Sequence, residues 1–512
     1  MEAIRKIEGL PTSIQVIALT LIVGIIYSYL TREKPAPGFP LISVRGLSPR
    51  KSFAFHSQEV IQEGLERTNG GPFQVMTGTG PKILLPNKFA DELRNLPSLD
   101  FSKAFAKDFF VNYPGFEPQK QGTSNDFLLR DTVRVKLTQS LGLVTPDLVD
   151  ETIACIDDVL GDGKEWSSRL IREDMLEIVA RASSRVFLGA ELCRNRRWLD
   201  IAKTFTVDTF ALSFLMRMTP WFVRPFTYLM APHSSRLRGS VRDAKRLIAP
   251  EVERRKKAVD AAKAAGEKPP KVSDTIGWMY DIAKGRPDLD LVSGQLSLTM
   301  AAIHTTTESA CRALLDICEY PDLIDQLREE IVEVVGREGW AKTTLYKLRL
   351  MDSFLKESQR VTPLATMSMN RYVEKPLLLS DGTQIPSGVR IAVVSDFSNP
   401  AVYPSPEKFD VARFVKKRQE PGQENSWQFV TTSPTHLSFG HGEHACPGRF
   451  FASNEIKIIL CHLLMKYDWR YVPGAEKPKP RVFETSSSVD AMTRIQARRR
   501  KAEIDLDALE VR

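Results

Sequence analysis

The sequence predicts a mainly α-helical protein with small β-sheets, preceded by a single N-terminal transmembrane helix. Three observations predict it. Apolar residues recur at three-to-four spacing through most of residues 50–350, with few alternating runs. Strand and turn signals gather after that helical stretch, around Pro376 to Gly388. Residues Ser13 to Leu30 form an 18-residue apolar run, near the lower limit for spanning a bilayer core.

Composition narrows the functional classes. A chain of 512 residues with 42% hydrophobic content suits a globular protein rather than a disordered one. Its net charge of +8 is modest, and no Lys/Arg stripe with interleaved aromatics argues for nucleic acid. A membrane surface or an acidic protein partner fits that balance better. The six cysteines lack paired spacing, which excludes a disulfide framework and favours a reducing compartment.

In chain order, residues 1–31 read as a membrane anchor, 32–45 as a proline-rich linker and 46–512 as the catalytic body. A cleaved signal peptide is the competing reading of the anchor. No small-x-small site follows the run, however, and Arg32, Glu33 and Lys34 lead into Pro35-Ala36-Pro37-Gly38-Phe39-Pro40, a stiff spacer. Flanking charges do not settle orientation; the missing disulfide pattern favours a cytosolic body.

Asp126 to Leu137 is expected to be one helix, with Arg130 and Arg134 on one face to hold an anionic group or to be solvated. Phe205 to Met230, rich in Phe, Leu and Met, is either buried core or an apolar lip touching lipid or a greasy ligand. Glu251 to Val272 reads as a solvated helix end and linker. Leu291 to Tyr320 is a long helix too apolar to be anything but central. In its middle Ala301 and Ala302 permit close approach of a ligand. Beside them His304 and Thr305 could relay protons, or a Thr could simply bond a carbonyl one turn back. Glu357 and Arg360 are three apart on a helix that Thr362 and Pro363 end, and Arg413 could complete a buried network with them. Residues 376–388 form a hairpin around Asp381-Gly382.

The densest chemistry lies in Phe439-Gly440-His441-Gly442-Glu443-His444-Ala445-Cys446-Pro447-Gly448-Arg449. Glycines allow a sharp loop or close approach to a flat ligand, and Pro447 suits a first helical turn. The helix start should favour thiolate at Cys446. Zinc wants four ligands in recurring spacings, and His441, His444 and Cys446 have no second cluster. A lone thiolate on such a loop suits a flat cofactor that brings four ligands of its own, as haem does.

The stretch containing Phe439, Gly442, His444, Cys446 and Gly448 resembles the haem-binding signature of the cytochrome P450 family. Ala301 to Thr306 resembles its oxygen-activating helix, Glu357 and Arg360 its Glu-x-x-Arg pair, and Phe409 to Phe414 the segment whose Arg413 closes that triad. The anchor and proline-rich hinge resemble the microsomal members. The resemblance implies the cytochrome P450 fold and makes Cys446 the axial ligand of haem b, the metal being its iron. Phe439 would shield the sulfur. Arg134, Arg371 and His444 would meet the propionates, with Arg130 a weaker candidate; Thr305 would deliver protons. The family's usual acid before that threonine is His304 here, and its usual glycine is Ala302.

The implied reaction inserts one atom of O2 into a C–H bond and releases the other as water, on electrons that NADPH-cytochrome P450 reductase supplies, with cytochrome b5 a second donor. Lys416, Lys417, Arg418, Arg449 and Lys457 are expected to dock the acidic reductase. By the same resemblance the substrate wall comprises Phe109, Phe110, Phe210, Phe214, Ala301, Ala302, Leu364, Ala365, Thr366, Ser487, Ser488 and Val489, an apolar pocket with few polar handles. The wording of these motifs is similar to ascomycete enzymes of terpenoid secondary metabolism, including ent-kaurene oxidase-like members. That implies a terpenoid or mixed terpenoid substrate, handled at the endoplasmic reticulum membrane by a domain facing the cytosol. The alternatives are a haem-thiolate isomerase or dehydratase, which would need no reductase, and a non-catalytic membrane-anchored haem protein.

Overall fold

The computed structural model describes residues 11–31, 33–124, 127–268, 273–284, 286 and 289–511. Helix α1 (Thr12–Thr31) comes first, and among the described residues no helix is long and apolar enough to cross a membrane. The proline-rich segment after it does not stand off as a spacer. The buried amide of Gln74 accepts from Ala36 N–H and donates to the Ala36 carbonyl, both at 2.9 Å, and also donates to the Phe39 carbonyl. A buried amide needs partners, and this backbone supplies them.

Helix α2 (Pro49–Arg67) leads to β1 (Phe73–Thr77) and β2 (Gly80–Leu85), a hairpin that turns through Gly78 and Thr79 and leaves it at Gly80 with φ +119°. Strand β3 (Leu99–Asp100) follows, and Asp100 caps α3 (Phe101–Phe109) by accepting from Lys103 N–H at 2.8 Å. The helix expected over Asp126 to Leu137 differs. Asp126 lies outside the described residues, Phe127 is left-handed at φ +59°, and a short α-turn (Leu128–Asp131) widens into a π-helix (Thr132–Leu137). The Thr138 hydroxyl follows the wider turn, donating 2.8 Å to the carbonyl of Val133 five residues back.

The helical body is α4 (Leu141–Leu160), then strand β4 (Ser167–Leu170), α5 (Ile171–Leu188), α6 (Arg196–Met218), α7 (Arg224–Met230), α8 (Pro232–Ala264), α9 (Leu291–Glu319), α10 (Asp322–Glu338) and α11 (Arg349–Val361). Of the linker expected after α8, residues 269–272 lie outside the described residues. The core reading of Phe205 to Met230 holds for part of the stretch, and another part is exposed. Phe205, Leu212 and Met216 are core, whereas Trp221, Phe226, Leu229 and Met230 are exposed. Helix α9 is central, as its apolarity predicts: Asp290 caps it by accepting from Val292 and Ser293 N–H, and it packs against α5, α6 and α11.

Strands close the chain around this body. β5 (Met367–Val373), β6 (Leu377–Leu378), β7 (Gln384–Ile385) and β8 (Arg390–Val394) follow α11. One sheet runs β1-β2-β8-β5-β3, with only β2 and β8 parallel, so it joins the two ends of the helical region. The β6–β7 hairpin turns at Asp381-Gly382, where Gly382 has φ +86°. Helix α12 (Arg449–Lys466) packs on α9, α4 and α5, and β9 (Tyr467–Tyr471), β10 (Arg481–Phe483), β11 (Ser486–Ser488) and β12 (Arg494–Arg499) complete the fold.

Candidate active site

The loop before α12 is shaped by its glycines. Gly440 and Gly442 have φ of +68° and +77°, and a Cβ on Gly442 would fall 2.4 Å from the Cβ of Arg94. The backbone N–H of Cys446 donates to the Phe439 carbonyl at 2.7 Å, and the Phe439 ring meets Phe429 edge-on at 5.3 Å. Helix α12 starts at Arg449, two residues later than Pro447 as expected. The N–H groups of Gly448 and Arg449 nevertheless point at the Cys446 sulfur. Against those two donors and the Arg449 charge, burial pushes the Cys446 thiol up.

Zinc is not supported. Among the described residues no group of three His, Cys, Asp or Glu is placed to hold a metal ion, and His441 instead bonds Asp91 at 2.9 Å and Thr432 at 3.2 Å.

Cations surround the loop with few counter-charges. Arg371 is buried, donates to the carbonyl of its neighbour Asn370 at 2.8 Å and makes no ion pair among the described residues. Burial pushes it down to about 10, so it stays charged at neutral pH. It stands beside His444, which burial and then the Arg371 charge hold below the usual imidazole range. His444 is thus a neutral donor rather than a cation. Both line a 170 Å³ cavity with Phe101 and Glu443. Arg134 is exposed and lies near Arg449, whose side chain donates 2.8 Å to the Cys446 carbonyl. Arg130 is already engaged, at 3.1 Å from Asp131 and 3.6 Å from Glu443.

Behind the loop the predicted triad forms. Arg360 donates to both oxygens of Glu357 at 2.8 and 2.9 Å, and Arg413 Nε reaches the same carboxylate at 3.0 Å. All three are buried, and the remaining guanidinium N–H groups bond carbonyls between Phe397 and Lys408. The expected docking surface is smaller than proposed from sequence. Lys457 and Arg418 are buried, approaching Asp352 at 2.6 and 3.5 Å; Lys416 is exposed, and Lys417 covers the Trp427 ring.

On α9, Ala301 and Thr305 are exposed in the middle of a largely buried helix, which leaves an uncovered stretch there. The Thr305 hydroxyl donates to the carbonyl of Ala301 at 2.8 Å. His304 turns to α6, its Nε2 lying 3.0 Å from the Lys203 carbonyl, and burial beside Arg172 pushes it down to about 4. An aromatic file runs from His444 through Phe101, Phe105 and Phe109 to Phe210. Phe110 lies under Arg224, and Phe214 meets Phe483 at 4.8 Å. Phe101, Phe105 and Phe483 were missed from sequence, although Phe101, Phe105 and Phe109 show helical four-residue spacing.

A family model described as cytochrome P450 matches residues 127–492, more than half of the chain. The chain belongs to the cytochrome P450 family. It is 42% identical over 487 residues to cytochrome P450 monooxygenase bsc2 of Alternaria brassicicola, covering 93% of this chain and 92% of that protein. Likewise it is 38% identical over 499 residues to cytochrome P450 monooxygenase hepE of Aspergillus oryzae, covering 96% and 90%. It is also 38% identical over 456 residues to cytochrome P450 monooxygenase ptmU of Penicillium ochrochloron, covering 89% of each. This P450 is therefore a monooxygenase of the haem-thiolate class, with an organic substrate, O2 and a reductase as its electron source. The residues present fit that cofactor: a buried guanidinium in no ion pair among the described residues, a sulfur with two N–H donors, and an uncovered stretch along a central, largely buried helix.

Proposed function

We propose that Cys446 would supply the thiolate that holds haem b and that this P450 hydroxylates or successively oxidises C–H bonds of an apolar, terpenoid or mixed terpenoid substrate of fungal secondary metabolism. When bound, the haem supplies the oxygen-cleaving chemistry. The chain's part is to hold, orient and exclude. Phe439 shields the sulfur, Gly442 and Gly448 admit close approach, and Arg371 and Arg134 hold the propionates, with His444 donating an N–H and Arg130 at the margin. Glu357, Arg360 and Arg413 keep the loop rigid. Thr305 offers lone pairs to a proton-bearing water, since its own proton is committed to Ala301. His304 holds α9 to α6 rather than relaying protons.

The observation that carries this reading is the buried Arg371 beside His444 at the edge of the Cys446 loop, which shares its cavity with Asp100 and Glu443 yet forms no ion pair among the described residues, so that an anionic group arriving there would be favoured. The aromatic file and the uncovered Ala301–Thr305 stretch favour an apolar ligand over a polar one. The reduced, CO-bound protein should show the long-wavelength Soret band, and Cys446→Ser should lose it; a band that persists defeats the ligand assignment. Expression with a fungal reductase and a panel of terpenoid intermediates, read by mass shift, tests the substrate class.

We place the chain at the endoplasmic reticulum, anchored by residues 1–31 with 46–512 in the cytosol and 32–45 as the joint. The 18-residue apolar run from Ser13 to Leu30 supports this, while α1 itself falls short of the length and apolarity that a bilayer crossing needs. Lys417 and Lys416, the latter also 3.3 Å from Asp410, are the cations we retain for docking the reductase and cytochrome b5. Reversing both charges should slow reduction most at low salt.

A further inference from the structure

The two segments assigned to the substrate wall are joined to each other by backbone. Ser487 N–H donates to the Leu364 carbonyl at 2.9 Å, Thr366 N–H donates to the Thr485 carbonyl at 3.1 Å, and Ala365 pairs with Ser486. What holds this unit in place is charged. From α9, Arg312 donates to the Pro363 carbonyl at 2.8 Å, to the Ser487 carbonyl at 2.6 Å and to the Ser487 hydroxyl at 3.1 Å, and also to the Thr362 carbonyl. Glu308, four residues earlier, accepts the Val489 N–H at 2.8 Å on one oxygen and Arg172 Nε at 2.8 Å on the other.

Glu308 and Arg312 are buried in a helix that packs apolar residues such as Leu296, Ile303 and Leu314 into the main core. Guanidinium-to-carbonyl and N–H-to-carboxylate bonds are charge-assisted and directional, so they fix a backbone more narrowly than apolar contact does. Thr305 stands one turn before Glu308 on the same rod. One helix therefore carries both Thr305 and the two charges that bond the wall segments.

We propose that Glu308 and Arg312 are positioning residues that set the shape of the substrate wall and hence the size of ligand this P450 accepts; this rests on the haem reading of the site. Arg172 orients Glu308 from α5. The wall's side chains determine what touches the ligand, while these two charges determine where the wall stands.

The test uses the full-length, haem-loaded protein in detergent and two iron-ligating probes, imidazole and the bulky azole clotrimazole, titrated by the Soret shift. In Glu308→Gln and Arg312→Lys the long-wavelength CO band should survive, the imidazole Kd should stay within about twofold, and the clotrimazole Kd should rise about tenfold, as loss of a charge-assisted bond predicts. Arg312→Met, which keeps bulk and loses every bond, should exceed Arg312→Lys. Unchanged clotrimazole binding in Arg312→Met overturns the proposal. So does an equal change for both probes, or loss of the CO band in all three variants, either of which makes the pair merely structural. Absence of the band or of any azole shift in the wild type would overturn the haem reading and this inference with it, and so is distinguishable from failure of the clamp alone.

Discussion

The two sides of the Cys446 loop are built from different forces. Behind it, Glu357 serves two arginines, Asp352 takes Lys457 and the Phe429 N–H, and Lys356 donates to the Gln428 and Thr431 carbonyls at 3.0 Å. Burial pushes Lys356 down to about 7, yet its ammonium stem stays fixed by those carbonyls. Toward the uncovered stretch of α9, Phe105, Phe109 and Phe210 meet ring to ring, and Ala301 and Thr305 are bare. The difference teaches a division of labour. Directional buried charge is concentrated where one geometry must persist, and non-directional apolar contact where the contents change.

The strongest way to break that contrast is Glu357→Ala. It leaves two buried guanidiniums facing no carboxylate and should cost about 3–5 kcal/mol, read by denaturant unfolding together with the yield of CO-binding protein. A loss below about 1 kcal/mol would show that the loop is held by something other than the triad.

Glu455 sharpens the contrast by being its flaw. On α12 it has only the Ser183 hydroxyl, at 2.6 Å, and its Oε2 has no partner among the described residues. Burial pushes it up to about 8 from 4.5. The folded protein therefore keeps this proton between those values while the unfolded chain releases it, and stability falls as pH rises through that window. Glu455→Gln should gain roughly 3 kcal/mol at pH 7 and nothing below about pH 4, seen in unfolding midpoints across pH. A gain that does not depend on pH would sink the ionisation argument.

Asp108 tests the opposite sign on the aromatic side. It ties the end of α3 to the sheet through Arg390 at 2.7 Å and Thr79 at 2.6 Å. Burial raises its carboxyl, but Lys82 and Arg390 outweigh that and bring it to about 2. Its contribution is present above the unfolded value near 4 and is lost as pH falls toward 2. Asp108→Asn should cost about 2 kcal/mol at pH 7 and little near pH 2 in thermal unfolding.

The smallest effect is expected at His304. His304→Gln keeps a donor for the Lys203 carbonyl and should change stability by less than about 1 kcal/mol. Because the imidazole is neutral above about pH 5, NADPH use should remain coupled to product; increased peroxide release would restore His304 to the proton route.

What was legible from sequence was local. The long helix ends at Glu319, one residue short of the expected Tyr320, because apolar spacing and an Asp290 cap are written in neighbouring residues. The Asp381-Gly382 hairpin and the Glu357–Arg360 pair are local too, and Arg413 was read as a candidate for their buried network, a role the family resemblance also implies. The rest depended on distant partners. Arg312 bonds backbone 175 residues away at Ser487, and carbonyls leave no mark in a residue pattern. A signal was nevertheless present: Glu308, Arg312 and Asp316 recur every four residues in a helix otherwise too apolar to be solvated. Lys457 and Arg418 looked like surface charge because Asp352 lies 105 and 66 residues away. The π-turn at Thr132–Leu137 has no distinguishing residue at all.

Helix α1 meets the body at Trp221 and Phe222. Tyr27 meets Trp221 edge-on at 5.4 Å, and Gly24 lies so close to Phe222 that a Cβ would sit 3.0 Å from its ring. Trp221 and Phe222 also border the 860 Å³ cleft between the proline-rich segment and the end of α6. Trimming the chain at residue 31 to obtain a soluble enzyme would uncover two large aromatics on the rim of that cleft. Self-association and altered ligand entry would then be artefacts of the cut, and a leader that retains Gly24 and Tyr27 is the better starting point for purification.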